Sequence, residues 1–276
     1  MTMVAAIQMA SGPNVQANLD QAEKLIAEAV AQSAKLIVLP ENFSFMGKTD
    51  QERIAVAEKD GDGKVQRFLS EQAKKNSIWL VGGTIPVATD NAEKLYASCM
   101  LFNDQGERVA CYNKIHLFDV LLQESNESYT ESDTTMSGDK TVVVDTPFGK
   151  LGLAVCYDLR FPEMFRTMVN QGMEICAIPS SFTALTGKAH WEVLVRARAI
   201  ENLCYVVAAA QGGYHVSGRE THGNSAIVNP WGQVLNYMGK GAGVVVAKFD
   251  RQYLEATRDH FPVLQHRRLA CQIASD

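Results

Sequence analysis

Three residues able to carry chemistry each follow an apolar, strand-like run. Glu41 follows Leu36-Ile37-Val38-Leu39-Pro40. Lys114 stands just after the run Arg108–Tyr112. Cys156 closes Leu151-Gly152-Leu153-Ala154-Val155. Taken singly, each has an ordinary reading: a capping or surface acid, a solvated lysine, a thiol packed as a small hydrophobe. Taken together they form a working set. A carboxylate can take a thiol proton as general base and return it to a leaving amine as general acid. An ammonium can lower a thiol pKa and stabilise a developing oxyanion. The turn after Cys156, Tyr157-Asp158-Leu159-Arg160-Phe161-Pro162-Glu163, predicts a helix opening just beyond the sulfur, whose N-terminal charge and N–H groups favour a thiolate. Such a thiolate attacks a carbonyl or nitrile carbon, and water then releases the acid.

The elements that must position these residues alternate. The spacing predicts strands over 4–9, 36–40, 78–85, 95–102, 108–112, 141–145, 151–155, 175–179, 205–210, 224–228, 233–235 and 243–249. Helices are predicted over 16–31, 65–75, 162–170 and 189–203. Asn103-Asp104-Gln105-Gly106 and Thr146-Pro147-Phe148-Gly149 mark hairpins, so mixed sheets in an α/β fold are expected rather than purely parallel ones. No linker or repeat divides the chain, which predicts one domain over residues 1–276. The longest irregular stretch, 119–140, is polar and reads as a functional loop.

Composition narrows the function classes. Hydrophobic residues make up 46% and charged residues 21% of 276 residues, ordinary for a globular enzyme. A net charge of −5 leaves no basic excess for neutralising nucleic-acid phosphates. No run approaches the roughly 18 apolar residues of a membrane span. The opening residues lack the basic start of a signal peptide and read as a first strand. The six cysteines form no C-x-x-C pair, which argues against a zinc site and for reduced thiols in the cytoplasm. No metal or cofactor is expected.

Pro40-Glu41-Asn42, Asn113-Lys114-Ile115-His116-Leu117 and Cys156-Tyr157-Asp158-Leu159-Arg160-Phe161-Pro162-Glu163 resemble the three signature segments of the nitrilase, or carbon–nitrogen hydrolase, superfamily. Residues 187–201 and 205–211 resemble its Nit branch, which holds amidases of deaminated glutathione and ω-amidases, the former being the nearer match. The resemblance spans essentially the whole chain. It implies a four-layer α-β-β-α sandwich of two mixed sheets and a homodimer or larger homo-oligomer. Glu41 is implied as base and acid, Lys114 as oxyanion partner, Cys156 as nucleophile, and the Tyr157 backbone N–H as a second oxyanion donor. A further glutamate near the substrate is implied at Glu131, although the branch's Pro-Gly between Phe118 and Glu131 is missing and Glu124 and Glu127 share that loop. The implied reaction is hydrolysis of a small linear amide by water, with deaminated glutathione cleaved to 2-oxoglutarate and Cys-Gly. The alternatives are ω-amidase action on 2-oxoglutaramate or succinamate, and a catalytically silent partner-binding protein on the same fold.

The remaining polar residues have plainer readings. Ser181 and Phe182 are expected on the pocket wall, with Arg160 and His190 as further candidates. Arg160 with Glu163 at i,i+3, and Glu192 with Arg196 at i,i+4, read as structural ion pairs, while Arg198 and Glu201 would fix the site wall. His116, His190, His215 and His222 lack metal-ligand spacing, and Trp191 sits on an apolar helical face.

Overall fold

The computed structural model describes residues 2–122 and 127–269. The chain opens with β1 (Thr2–Gln8), α1 (Val15–Ala31), β2 (Ala34–Val38), the short α2 (Glu52–Ala55), α3 (Lys64–Asn76), β3 (Trp79–Val81), β4 (Ile85–Ala88), β5 (Leu95–Phe102) and β6 (Arg108–Asn113). A hairpin of β7 (Asp119–Leu122) and β8 (Glu127–Thr130) follows. Then come β9 (Val142–Thr146), β10 (Gly149–Leu153), α4 (Pro162–Asn170), β11 (Ile175–Ser180), α5 (Ala184–Asn202), β12 (Tyr205–Ala210), β13 (Ala226–Val228), β14 (Val234–Tyr237), β15 (Gly243–Phe249) and α6 (Arg251–His260).

Two mixed sheets result. The first runs β15-β1-β2-β3-β5-β4, with β6 added to β5; the second runs β14-β13-β12-β11-β10-β9. Parallel pairs join β1, β2 and β3 in one sheet and β10, β11 and β12 in the other. Strand periodicity explains the layers. In β1, Val4 and Ala6 enter one core, while Ala5 and Ile7 enter the other. In β2, Leu36 and Val38 face inward to the second sheet, and Ile37 faces α1 and α3. The outer core is closed by Leu19, Ile26, Val65 and Leu69 of those helices. The inner core continues through β12, buried along its whole length, to Phe165 of α4 and Trp191 of α5. The order is therefore helices, sheet, sheet, helices: the four-layer α-β-β-α sandwich.

Capping sets the helix starts. Asn14 accepts the Ala17 N–H at the head of α1, and Thr183 accepts the Thr186 N–H at the head of α5. That threonine starts α5 at Ala184, five residues before the predicted 189. The run predicted as one strand over 78–85 is split into β3 and β4 at Gly82-Gly83. The stretch predicted as irregular, 119–140, instead holds the β7–β8 hairpin and a 3-10 turn at Glu131–Asp133. Helices α2 and α6 were not expected. Each buries only one side chain, Arg53 and Leu254, and so shows no apolar period.

Gly83 ties the fold to the site. Its φ is +57°, and a Cβ there would lie 2.1 Å from the Pro40 carbonyl oxygen, next to Glu41. We predict that Gly83→Ala costs more than about 2 kcal/mol in denaturant unfolding, because the backbone must shift as well as strain. Activity should fall with it, since Pro40 precedes Glu41.

Candidate active site

Three strand ends deliver the principal side chains to one cleft, lined by Glu41, Lys114, Glu131 and Cys156 among others. Past β2, Leu39 still donates to Val81, and Glu41 is 3% exposed. Its backbone is fixed from both sides. The Asn42 N–H donates to Thr84 Oγ1 at 2.9 Å, and Gln211 Nε2 donates to the Glu41 carbonyl at 3.0 Å. Gln211 is itself held by Ser11, so the end of β12 is pinned to the end of β2.

Lys114 leaves β6 with its N–H on the Ala97 carbonyl and its own carbonyl accepting from Gly138. Its ammonium is buried between two carboxylates: Nζ donates to Glu41 Oε1 at 2.9 Å and to Glu131 Oε2 at 2.7 Å. Glu131 opens the 3-10 turn after β8, and its Oε2 also accepts the Phe118 N–H at 2.8 Å. Of the three candidate loop acids, the structure therefore brings Glu131 to the lysine. Glu127 starts β8, and Glu124 lies outside the described residues.

Cys156 begins a 3-10 turn, Cys156–Arg160, and has φ +48°. A left-handed non-glycine residue carries a strain of roughly 1–2 kcal/mol, held here by its surroundings. Asp158, fully buried, is the main clamp. Its Oδ2 accepts the Val155 N–H at 2.8 Å and the Tyr112 hydroxyl at 2.6 Å. Its Oδ1 accepts the His116 N–H at 3.1 Å and lies 2.7 Å from His116 Nδ1. One carboxylate thus binds the cysteine turn to the segment carrying Lys114. On the other side, Arg198 Nε and Nη2 donate to the Leu159 carbonyl at 3.0 and 2.7 Å, while Nη1 pairs with Glu201. The expected brace of Arg198 and Glu201 is present, acting on the turn rather than lining the cleft.

Charge decides the resting state. Burial pushes the Glu41 carboxyl up, yet the Lys114 charge and hydrogen bonds from Ser181, Lys114 and Cys156 outweigh it and leave the pKa below the ordinary value. Burial would discharge Lys114, but Glu131 and Glu41 override it and raise its pKa. The Cys156 thiol is pushed well up by burial and then by the Glu41 carboxylate; Lys114 and the Ser181 N–H pull downward without prevailing. The thiolate-favouring helix end and lysine expected from the sequence are thus opposed here by burial and by Glu41. Two carboxylates surround one ammonium, and α4 opens only at Pro162, beyond the intervening 3-10 turn.

Ser181 matters more than its expected place on the wall. Its hydroxyl donates to Glu41 Oε2, its N–H reaches the Cys156 sulfur, and its carbonyl accepts from Arg219. Phe182 and Tyr157 also line the cleft, and Arg160 lies over both rings, 5.1 and 5.7 Å from their centroids. Arg160 does not pair with Glu163 as expected: stacking on two aromatic faces and a 3.2 Å contact with His190 Nδ1 hold it instead. His190 stands behind Arg160, exposed on α5, and is not a cleft residue. Glu192 and Arg196 do pair, at 3.5 Å. His215 bonds Ser11 and Thr221, and Trp191 is core. Among the described residues no group of three or more His, Cys, Asp or Glu side chains is placed to hold a metal. Sequence reasoning passed over Arg53, Arg219, Tyr129 and Phe118, which also line the cleft. Their local sequence carries no signal, since lone arginines in polar segments read as solvated.

Comparison with known proteins concerns the chain as a whole. The profile of the family described as carbon–nitrogen hydrolase matches residues 3–259. A deaminated glutathione amidase of Synechocystis sp. is 42% identical over 268 residues, covering 96% of this chain and 97% of that protein. The Homo sapiens deaminated glutathione amidase is 42% identical over 97% of this chain and 83% of its own length. The crystal structure of Saccharomyces cerevisiae Nit3, a member of branch 10 of the nitrilase superfamily, superposes with a TM-score of 0.87 at 33% identity, covering 97% of each chain. With a profile match over nearly its full length, a sandwich of the same fold and relatives of this similarity, the chain belongs to the carbon–nitrogen hydrolase family and is a hydrolase of non-peptide C–N bonds.

Proposed function

We propose that the protein is a thiol amidase that cleaves deaminated glutathione to 2-oxoglutarate and Cys-Gly through a thioester on Cys156. The observation that carries this reading is the buried Lys114 shared by Glu41 and Glu131 beside a protonated cysteine. The names of the relatives supply the substrate.

The chemistry follows from the placement of protons. Glu41, ionised at rest, takes the Cys156 proton as the sulfur attacks the amide carbonyl. The negative charge that develops on the carbonyl oxygen falls to the Lys114 ammonium and the Tyr157 backbone N–H. Glu41 then protonates the departing amine, the C–N bond breaks, and the acyl group stays on sulfur. Water enters, gives its proton to Glu41 and attacks the thioester. Collapse releases the acid, and the thiol regains its proton. Glu131 keeps Lys114 charged and in place throughout. The pull of Glu41 is tempered by Ser181, whose hydroxyl donates to Glu41 Oε2.

We also read the protein as a homodimer or larger assembly in the cytoplasm. Exposed Val193, Ile200, Trp231 and Tyr237 support the first, since such apolar surface favours association. The five described cysteines are all free, which supports a reducing compartment. No helix among the described residues is long and apolar enough to cross a membrane.

Cys156→Ala should abolish turnover of deaminated glutathione, and mass spectrometry of quenched wild-type enzyme should find the acyl adduct on Cys156 alone. Unchanged turnover in the variant sinks the thioester route. A wild type inert toward every amide and nitrile points to the silent partner-binding protein. We expect kcat/KM for deaminated glutathione to exceed that for 2-oxoglutaramate and succinamate by about tenfold; the reverse order makes the protein an ω-amidase.

The pH profile tests the resting state separately. Glu41 has a lowered pKa, so it stays ionised until pH falls below the ordinary 4.5, and the ion pair it forms contributes stability above that pH and loses it below. Thiol and ammonium are both raised, so neither titrates below pH 9.0. We predict that kcat/KM is level between those limits. A rise toward alkaline pH would mean that a free thiolate, rather than base-assisted attack, does the work.

A further inference from the structure

Two guanidinium groups in the cleft each carry a buried Nε with no hydrogen-bond partner among the described residues. Arg53, on α2, is only 6% exposed, and its Nε is buried with no hydrogen bond among the described residues. Arg219 also has a buried Nε with no partner there. Its Nη2 holds the Ser181 carbonyl, and its Cζ lies 5.1 Å from the centre of the Tyr129 ring. The other cations of the cleft are engaged: Lys114 by two glutamates, and Arg160 by two aromatic faces and His190. The adjacent acid, Glu52, accepts the Lys48 N–H at 3.1 Å, and the exposed Asp50 meets Arg53 through a backbone bond, the Arg53 N–H to the Asp50 carbonyl at 3.1 Å.

An arginine cannot discharge itself as a buried lysine can, so an unpaired buried guanidinium is costly unless an anion comes to it. A carboxylate fits its planar fork of donors. We propose that Arg53 and Arg219 are the receptor for a carboxylate on the acyl half of the substrate. This rests on the amidase reading above. Arg219 is anchored on the carbonyl of Ser181, the residue whose hydroxyl and N–H hold Glu41 and the Cys156 sulfur. It is therefore tied to the point where the acyl group is retained, and the amine is the half that must leave. A carboxylate on the acyl half stays with the arginines through both attack and hydrolysis.

The test compares three amides: succinamate, with the charge on the acyl half; butyrylglycine, with it on the amine half; and butyramide, with none. Wild type should prefer succinamate to butyramide by about 30-fold or more in kcat/KM, and Arg53→Met should lower that ratio by a similar factor, with Arg53→Lys restoring part of it. A ratio unchanged within about twofold in Arg53→Met overturns the receptor, as does a loss confined to butyrylglycine. Wild type that turns over butyramide as well as succinamate removes the receptor and leaves the amidase reading standing. Wild type inert on all three and on deaminated glutathione removes the amidase reading itself. The thermal midpoint of ligand-free Arg53→Met should be no lower than that of wild type, because an unpaired buried charge has been removed. A clear drop would make Arg53 a structural residue and overturn the proposal.

Discussion

Everything at the cleft depends on one buried ammonium with two carboxylates. Lys114 is 2% exposed, a setting in which a lone charge is untenable. Glu41 and Glu131 make it tenable, and it does the same for them. The arrangement carries one negative charge in excess while the sulfur is neutral. Burial first, and then the Glu41 carboxylate, keep the proton on the sulfur, and the same carboxylate can accept it when an electrophile arrives. Removing any of the three would strand a charge in a low-dielectric site, so the residues form a unit rather than three separate contributions.

The rest of the fold serves to hold that unit. Its members come from different strands, and the links between them are polar ties across the inner core. Asp158 joins the cysteine turn to the lysine segment, Gln211 joins β12 to Glu41, and Arg198 braces the turn from α5. The left-handed backbone at Cys156 survives because these ties over-determine it. None of them touches the sulfur; each restricts where it can go.

Much of this was legible from residues alone, because Glu41, Lys114 and Cys156 each end an apolar strand, and strand periodicity is a local signal. The strands 95–102, 205–210 and 243–249 were read with the boundaries the structure shows, since Gly or polar residues bound each apolar run. What stayed hidden depends on distant partners. The break between β3 and β4 comes from the close approach of Pro40 to Gly83, some forty residues away. The β7–β8 hairpin has half-exposed faces and so a weak alternation. The clamping role of Asp158 has no local signal, because its partners Tyr112 and His116 lie more than forty residues away. The raised Cys156 pKa has no signal in its own segment, since it follows from burial by the packed sheets and then from Glu41 on another strand.

The protonated sulfur has a consequence for durability. Peroxide and soft electrophiles attack thiolates far faster than thiols, so oxidation to sulfenic acid and beyond tracks thiolate content and exposure. Cys156 is buried at rest and keeps its proton, whereas Cys111 is exposed. A nucleophile made by its base only at the moment of attack spends little time in the vulnerable form. The same protein chemistry that places a carboxylate beside the sulfur therefore spares it from oxidation.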